Sequence, residues 1–267
     1  NKQGDEIMNY IALEQYNDVD FQIISSCSNI QGVILGDLFC QKRMFSYGET
    51  EMMDMIRLAH EKNLDVIYQT PRYLTDRKFD STMHLVSYLY EKELIKKIIL
   101  QDIGAVHYLK RKYPSLHIIW GFMGDSRNGA DNLLHYSFLK SIGVNEIECS
   151  RISRIPYLAE MGFEIMLMNE RVTYNTVNRE CYYIHEFEIY DNNCGRRCLD
   201  SEASLCNKAC GFDFSINGHM LGMRYHPLTA EELDNVCTTD IVYRGKDINS
   251  IDSRLLENLG DNTNGKM

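Results

Sequence analysis

Short apolar runs and segments of helical periodicity alternate along most of the chain. Eight runs have the length and apolar character of buried strands, and they cover residues 9–13, 32–36, 64–69, 97–102, 116–121, 144–149, 163–168 and 240–244. Helical periodicity is found between or after them, over residues 21–27, 49–63, 83–93, 105–113, 132–143, 155–162 and 228–236. Because most residues within each run are apolar, the runs predict parallel strands that are covered on both faces.

Eight strand and helix units in about 250 residues predict an α/β fold, a closed (β/α)8 barrel of the TIM type. We predict a single barrel domain over residues 1–249, a cysteine-rich insertion over residues 169–227 after strand 7, and a polar, frayed tail over residues 250–267. A doubly wound open sheet is the alternative. The glycines of residues 124–129, GDSRNG, do not have the spacing of a dinucleotide site.

Composition and charge narrow the classes of partner. The chain has 267 residues, of which 44% are hydrophobic, so it can bury a large core. Its net charge of −10 predicts an acidic surface that repels phosphate backbones and anionic lipids, so neither nucleic acid nor membrane is expected as a partner. The basic residues 110–112 end a helical pattern, where cations stabilise the helix terminus. The chain has no apolar run of membrane-spanning length and no signal peptide pattern, which predicts a cytoplasmic protein.

The cysteines are the most informative residues. Nine cysteines cannot all pair, and in a reducing compartment a cluster of cysteines indicates metal or redox chemistry. Five of them fall within thirty residues, at positions 181, 194, 198, 206 and 210. Three others, Cys27, Cys149 and Cys237, are interpreted as small buried hydrophobes.

Residues that follow barrel strands gather at the carboxyl-terminal rim of the barrel, where active sites form. Cys40 comes four residues after the second strand. Four thiolates suit a [4Fe-4S] cluster and also suit a structural zinc ion. The gaps of three residues in Cys194–Cys198 and Cys206–Cys210 each correspond to one helical turn. This spacing favours iron–sulfur over a zinc ribbon, whose gaps are shorter, and zinc remains the alternative.

Polar residues at the same strand ends are candidates for substrate chemistry. Asp102 and Glu170 could act as acid or base, and Arg151 could bind a substrate carboxylate with two hydrogen bonds. The same rim is expected to include Glu14, Gln69, Gln101 and Trp120. A helix cap or an ordinary ion pair is the other interpretation of each polar residue.

Hydrolase motifs are missing from the sequence. His185 and Glu186 begin a zinc-peptidase motif, but Ile189 stands where its second histidine would be. There is also no GxSxG nucleophile motif. The sequence therefore offers no catalytic residues for a peptidase.

Several segments resemble the collagenase-like peptidase family, and within it the UbiU/UbiV-type iron–sulfur proteins of oxygen-independent hydroxylation. A cysteine motif of that group is matched by Gly36, Asp37, Cys40, Lys42 and Arg43. The further segments are residues 97–110, 138–151, 163–168 and 181–198, the last of which repeats the group's cysteine spacing. The resemblance covers most of residues 9–245.

The resemblance implies a [4Fe-4S] cluster bound by Cys40, Cys181, Cys194 and Cys198. It also implies oxygen-independent hydroxylation, or a related redox modification, of an aromatic or similar small-molecule substrate in an anaerobic setting. Some members work as heterodimers of two related chains, so a paralogous barrel chain is the implied partner. The alternative is a non-catalytic partner whose cluster transfers electrons or has a structural role.

The chain departs from the family pattern at three places. Ile152 stands where the family commonly has a glutamate, and residues 168–175 replace a family phrase that contains a further cysteine. Cys206 and Cys210 are additional, and together with Cys194 and Cys198 they offer a rival set of metal ligands.

Overall fold

The computed structural model of the chain describes residues 8–13, 16–36, 49–71, 74, 76–121, 133–149, 152–169, 172–177, 203–207, 212–217, 220–224, 240–245 and 248–251. Eight parallel strands form a closed barrel in the order β1-β12-β7-β6-β5-β4-β3-β2. They are β1 (Asn9–Leu13), β2 (Gly32–Gly36), β3 (Asp65–Gln69), β4 (Lys97–Leu100), β5 (His117–Trp120), β6 (Glu146–Cys149), β7 (Glu164–Asn169) and β12 (Asp240–Gly245). The predicted (β/α)8 barrel is confirmed.

In the part of the chain that the structure describes, six α-helices follow the first six strands in turn. They are α1 (Asp18–Ser26), α2 (Glu49–Glu61), α3 (Asp76–Glu91), α4 (Ile103–Lys112), α5 (Leu133–Ser141) and α6 (Ile155–Glu160). Asn17 begins α1 as a capping box, because its side chain accepts hydrogen bonds from the Val19 and Asp20 amides while Asp20 accepts one from the Asn17 amide. The basic residues 110–112 form the last turn of α4, as predicted. The helix predicted over residues 228–236 lies outside the described residues.

No described helix has the length and apolar character that a bilayer crossing requires.

Strand alternation divides the apolar core into two sets of side chains. One set fills the lumen of the barrel and includes Ile34, Ile67, Ile99, Ile119 and Met166. The larger set lies between the outer face of the strands and the surrounding helices. The middle of each strand is therefore apolar on both faces. For this reason its sequence is a continuous apolar run.

Among the described residues, four antiparallel strands come between β7 and β12 in the chain. These strands were not predicted. They are β8 (Val172–Val177), β9 (Ala203–Asn207), β10 (Phe212–Asn217) and β11 (Met220–Arg224), paired in the order β8-β11-β10-β9. The short connection from β10 to β11 makes a hairpin, in which Asn217 pairs with Met220. Residues 172–175 alternate between apolar and polar types in the sequence, which is a strand signal.

The core extends slightly further along the chain than predicted. Ile248 and Ile251 are buried and belong to the outer core, although the polar tail was predicted to begin at residue 250. The reason is that a short 3-10 turn, Ile248–Ser250, follows β12 and brings the next apolar side chain back onto the barrel. The remainder of the predicted tail, residues 252–267, lies outside the described residues.

Replacement of Gly36 by alanine is expected to destabilise the barrel by about 3 kcal/mol. Gly36 ends β2 with a φ of +142° and pairs with Gln69 of β3. A Cβ atom there would lie 2.1 Å from the Gln69 carbonyl oxygen, so the two strands would have to separate at the rim of the barrel. Urea-induced unfolding followed by circular dichroism measures the loss.

Gly104→Ala is the matched control for this change. Gly104 lies in the first turn of α4, and a Cβ there would lie 3.1 Å from the Asp102 carboxylate. Because alanine favours the helix, we expect a change within about 1 kcal/mol of wild type. If the two variants lose equal stability, the close approach of β2 and β3 is not the reason why position 36 requires glycine.

Candidate functional site

The described part of the carboxyl-terminal rim contains a buried polar network. Arg244 of β12 forms an ion pair with Glu148 of β6 through its Nη2 atom. Both Arg244 Nη atoms also donate hydrogen bonds of 3.2 Å to Oε1 of Gln69 on β3. The exposed fractions of the three residues are 9%, 1% and 3%. The network therefore connects three non-adjacent strands across the lumen of the barrel.

Strand alternation places these three residues on the lumen side. Each lies two positions after a residue that is itself directed inward: Arg244 follows Val242, and Gln69 follows Ile67. Glu148 follows Glu146, whose carboxylate is bonded to Lys97 of β4. Because side chains two apart share a face of a strand, all three must point into the barrel.

Sequence reasoning identified Gln69 but missed Glu148 and Arg244. The available signal was charged residues within buried strands: Glu146 and Glu148 in β6, and Arg244 in β12. Such residues are rarely buried unless they are paired. The partner of each is far away in sequence, so their pairing could not be predicted from one strand alone.

Gln101 also lies at this rim. A Cβ atom at Gly121 would approach its Nε2 atom to 2.4 Å, so the glycine after β5 leaves room for the amide. Its Oε1 atom is buried and has no hydrogen-bond partner among the described residues. An acceptor of this kind is suited to a hydroxyl or amine donor from a bound molecule.

Asp102 has a clear structural task. It is the N-cap of α4, and its Oδ1 atom accepts a 2.9 Å hydrogen bond from the amide of Ala105. This arrangement is the helix-cap interpretation given by the sequence analysis. The predicted role of Asp102 in catalysis stays a prediction.

Trp120 does not point toward the rim, and that prediction was wrong. Its neighbour Ile119 faces the lumen, so Trp120 faces the helices, where it is 3% exposed. Its ring contacts His135 of α5 edge to face, with ring centroids 6.0 Å apart. A residue at the end of a strand can face either side, and strand alternation decides which.

Two cysteines are buried where they were predicted to be. Cys27 and Cys149 both belong to the outer core and are 3% and 1% exposed. Burial raises the pKa of the Cys27 thiol, which keeps it protonated at neutral pH. These two residues act as small hydrophobes, and Cys237 lies outside the described residues.

The interpretation of Cys206 and Cys210 as one helical turn was wrong. Cys206 is part of strand β9, where it pairs with Asp213 of β10. β9 extends to Asn207, so Cys206 and the residue after it belong to a strand and not to a helix. The reason is that the hairpin register, which depends on β10, overrides the local spacing.

The other predicted site residues lie outside the described residues. They are Glu14, Cys40, Arg151, Glu170, Cys181, His185, Cys194, Cys198 and Cys210. Their positions in sequence relative to the described strands still hold: Cys40 follows the end of β2 by four residues, and Glu170 directly follows β7.

Comparison with solved structures returns barrels of low sequence identity. The U32 peptidase Mk0906 is 14% identical with a TM-score of 0.48, covering 70% of this chain and 76% of its own. The spore cortex-lytic enzyme SleL of Bacillus megaterium is 8% identical with a TM-score of 0.49, covering 98% and 75%. A glycerophosphodiester phosphodiesterase of Parabacteroides distasonis is 10% identical with a TM-score of 0.48, covering 96% and 99%.

Sequence comparison assigns the family. No curated protein matches the chain in sequence. The family model described as peptidase family U32 matches residues 26–252, which is most of the chain. This match confirms the resemblance to the collagenase-like peptidases. The chain belongs to peptidase family U32.

Proposed function

We propose that this chain is an iron–sulfur protein that takes part in an oxygen-independent hydroxylation, or a related redox modification, of an aromatic or similar small molecule. In this proposal it acts as one subunit of a heterodimer with a paralogous barrel chain. The observation that carries the proposal is the cysteine pattern. Cys40, Cys181, Cys194 and Cys198 repeat the spacing of the iron–sulfur members within a chain of this family.

The topology of the barrel supports this ligand set. All eight strands are parallel, so their carboxyl ends meet at one rim. Cys40 follows β2 by four residues, and the other three cysteines come after β7 in the chain. Only β1 and β12 separate β2 from β7 around the barrel. Ligands that are far apart in sequence thus belong to segments that leave from the same rim.

The burial of Cys27 and Cys149 also supports the proposed ligand set. Four thiolates form the ordinary ligand set of a [4Fe-4S] cluster. Cys27 and Cys149 are buried among apolar side chains of the outer core, on the far side of the strands from the lumen. They are therefore unsuited as ligands, which leaves the cysteines at the rim and in the segment after β7. Zinc, the alternative, would use the same thiolates.

The chain's own residues supply the remaining chemistry in this proposal. When bound, the cluster would supply electron transfer. Asp102 and Glu170 are proposed as proton acceptors or donors near the substrate, and Arg151 as the residue that binds its carboxylate. The buried ion pair of Arg244 and Glu148 lies in the lumen at the carboxyl-terminal ends of β12 and β6.

Metal analysis tests the proposal. The protein, purified under nitrogen, is expected to contain about four irons and four sulfides per chain, with a visible absorption that fades on exposure to air. Iron, acid-labile sulfide and zinc are measured together on the same sample. One zinc per chain without iron would overturn the proposal and make the cysteines a structural site.

Activity assays separate the alternatives. Conversion of an aromatic substrate only in the presence of a related barrel chain supports the heterodimer, and conversion by this chain alone contradicts it. If a paralogous chain needs this chain's cluster but binds the substrate itself, the non-catalytic alternative replaces the catalytic one. Peptide hydrolysis that persists after all four cysteines are changed to alanine would favour the peptidase activity in the family name.

A further inference from the structure

A second polar layer lies at the amino-terminal end of the barrel, opposite the carboxyl-terminal rim. We call it the amino-end cluster, and it consists of the first residues of five strands. These residues are Lys97 of β4, His117 of β5, Glu146 of β6, Glu164 of β7 and Asp240 of β12. Lys97 contacts Asp240, although three strands separate β4 from β12 around the barrel, so its side chain crosses the lumen.

Glu146 is the centre of the amino-end cluster. Its Oε2 atom lies 2.8 Å from Nε2 of His117 and 3.2 Å from Nζ of Lys97. Lys97 also lies 3.2 Å from the Asp240 carboxylate. Glu146 is 1% exposed, while the side chains of His117 and Lys97 are 21% and 23% exposed. The carboxylate is thus fully buried, and its partners reach toward the end of the barrel.

The two oxygens of the Glu146 carboxylate differ in their contacts with the described residues. Its Oε1 atom is buried and forms no hydrogen bond with any described residue. Burial by itself raises the pKa of Glu146, but the hydrogen bond with His117 and the charge of Lys97 outweigh it, so the pKa is lowered. A buried carboxylate oxygen without a partner is costly.

The charges of the cluster add to this cost. Glu164 lies in register beside Glu146 on the next strand, so two carboxylates share one face of the sheet as direct neighbours. Like charges in this arrangement repel each other. The cluster contains three carboxylates and one lysine, and that lysine bonds Glu146 and Asp240. A cation beside Glu146 would bind the oxygen that has no partner among the described residues, and it would reduce the repulsion between the two carboxylates.

We propose that His117, Glu146 and Glu164 form a binding site for a divalent metal ion. One ligand atom from each of these residues lies within 4.8 Å of the others, which suits ligands around a single ion after small side-chain movements. One imidazole nitrogen and carboxylate oxygens are ligands for manganese or zinc. The ion would tie the starts of β5, β6 and β7 together. The site uses no cysteine and lies at the amino-terminal end of the barrel.

Manganese binding, measured by the loss of the free Mn²⁺ signal in electron paramagnetic resonance, tests this site. Mn²⁺ is chosen because it prefers oxygen and nitrogen to thiolate, so the nine cysteines do not compete for it. We expect one ion per chain in wild type. Glu164→Gln and His117→Gln should each weaken binding by about ten-fold or more.

The control variant is Glu160→Gln. Glu160 is exposed at the end of α6, so this change removes the same charge as Glu164→Gln without touching the cluster. Its Mn²⁺ affinity should equal that of wild type. Absence of Mn²⁺ binding to wild type, or equal binding by wild type and Glu164→Gln, would overturn the proposal. Equal weakening in Glu160→Gln would also overturn it, because the binding would then depend only on surface charge.

Thermal unfolding supplies a second readout in case His117→Gln does not fold. Glu164 is exposed, so its change to glutamine leaves the core intact. Mn²⁺ should raise the melting temperature of wild type relative to the same sample in EDTA, since a ligand that binds only the folded state stabilises it. The rise should disappear in Glu164→Gln. An equal rise in both proteins would contradict the site.

Discussion

Iron is expected to be lost from the protein when Cys181 is changed to alanine. In our proposal, Cys181 supplies one of four thiolates to a [4Fe-4S] cluster, and a cluster that lacks one ligand is readily lost. The expected change is from about four irons per chain to nearly none, and Cys40→Ala should give the same result. Iron and acid-labile sulfide are measured on protein prepared under nitrogen, with circular dichroism to confirm that the variant is folded.

Alanine variants of other cysteines are the controls. Cys149→Ala removes a thiol from the outer core and should keep its iron, with only a packing loss. Cys206→Ala tests the rival ligand set of Cys194, Cys198, Cys206 and Cys210. Cys206 lies in β9, where it pairs with Asp213 of β10. If Cys206→Ala loses iron and Cys40→Ala keeps it, the cluster is bound by the rival set, and the resemblance does not extend to the ligands.

Loss of the buried ion pair is the second large expected effect. Arg244→Met should destabilise the protein by about 3 to 5 kcal/mol, because it leaves the Glu148 carboxylate buried without its cation. The Oε1 atom of Gln69 would also lose both of its Arg244 donors. Methionine is chosen because it keeps much of the volume of the arginine stem. Urea-induced unfolding measures the difference in the free energy of unfolding.

Two further variants separate the charge effect from a packing effect. Arg57→Met breaks the exposed pair with Asp54, in which both side chains are 63% exposed, and should cost less than about 1 kcal/mol. Glu148→Leu combined with Arg244→Met removes both charges and should recover part of the stability. If Arg244→Met costs no more than Arg57→Met, the buried pair is not an important source of stability.

The two polar layers of the lumen are separated by apolar side chains. Ile67, Ile99 and Ile119 lie between the Arg244 network at one end and the amino-end cluster at the other. Each layer must therefore satisfy its charges within itself. Variants at one end should leave the ligands of the other end in place, so the metal and cluster experiments can be interpreted independently.

The sequence by itself determined the barrel. Buried apolar strands with helices between them are encoded locally, because each run and each helical period depends on neighbouring residues. Strands β1 and β2 have the predicted bounds. The family and the cysteine motif could also be recognised from the sequence, because spacing along the chain carries that information.

Only the tertiary structure decided which polar residues meet. Lys97 contacts Asp240, which is 143 residues away, and Arg244 contacts Gln69, which is 175 residues away. Likewise, only strand alternation within the closed barrel shows that Trp120 faces the helices. The physical reason is that barrel closure and register are collective properties of all eight strands. A single strand specifies that one face is inside, and the other seven specify what that face contacts.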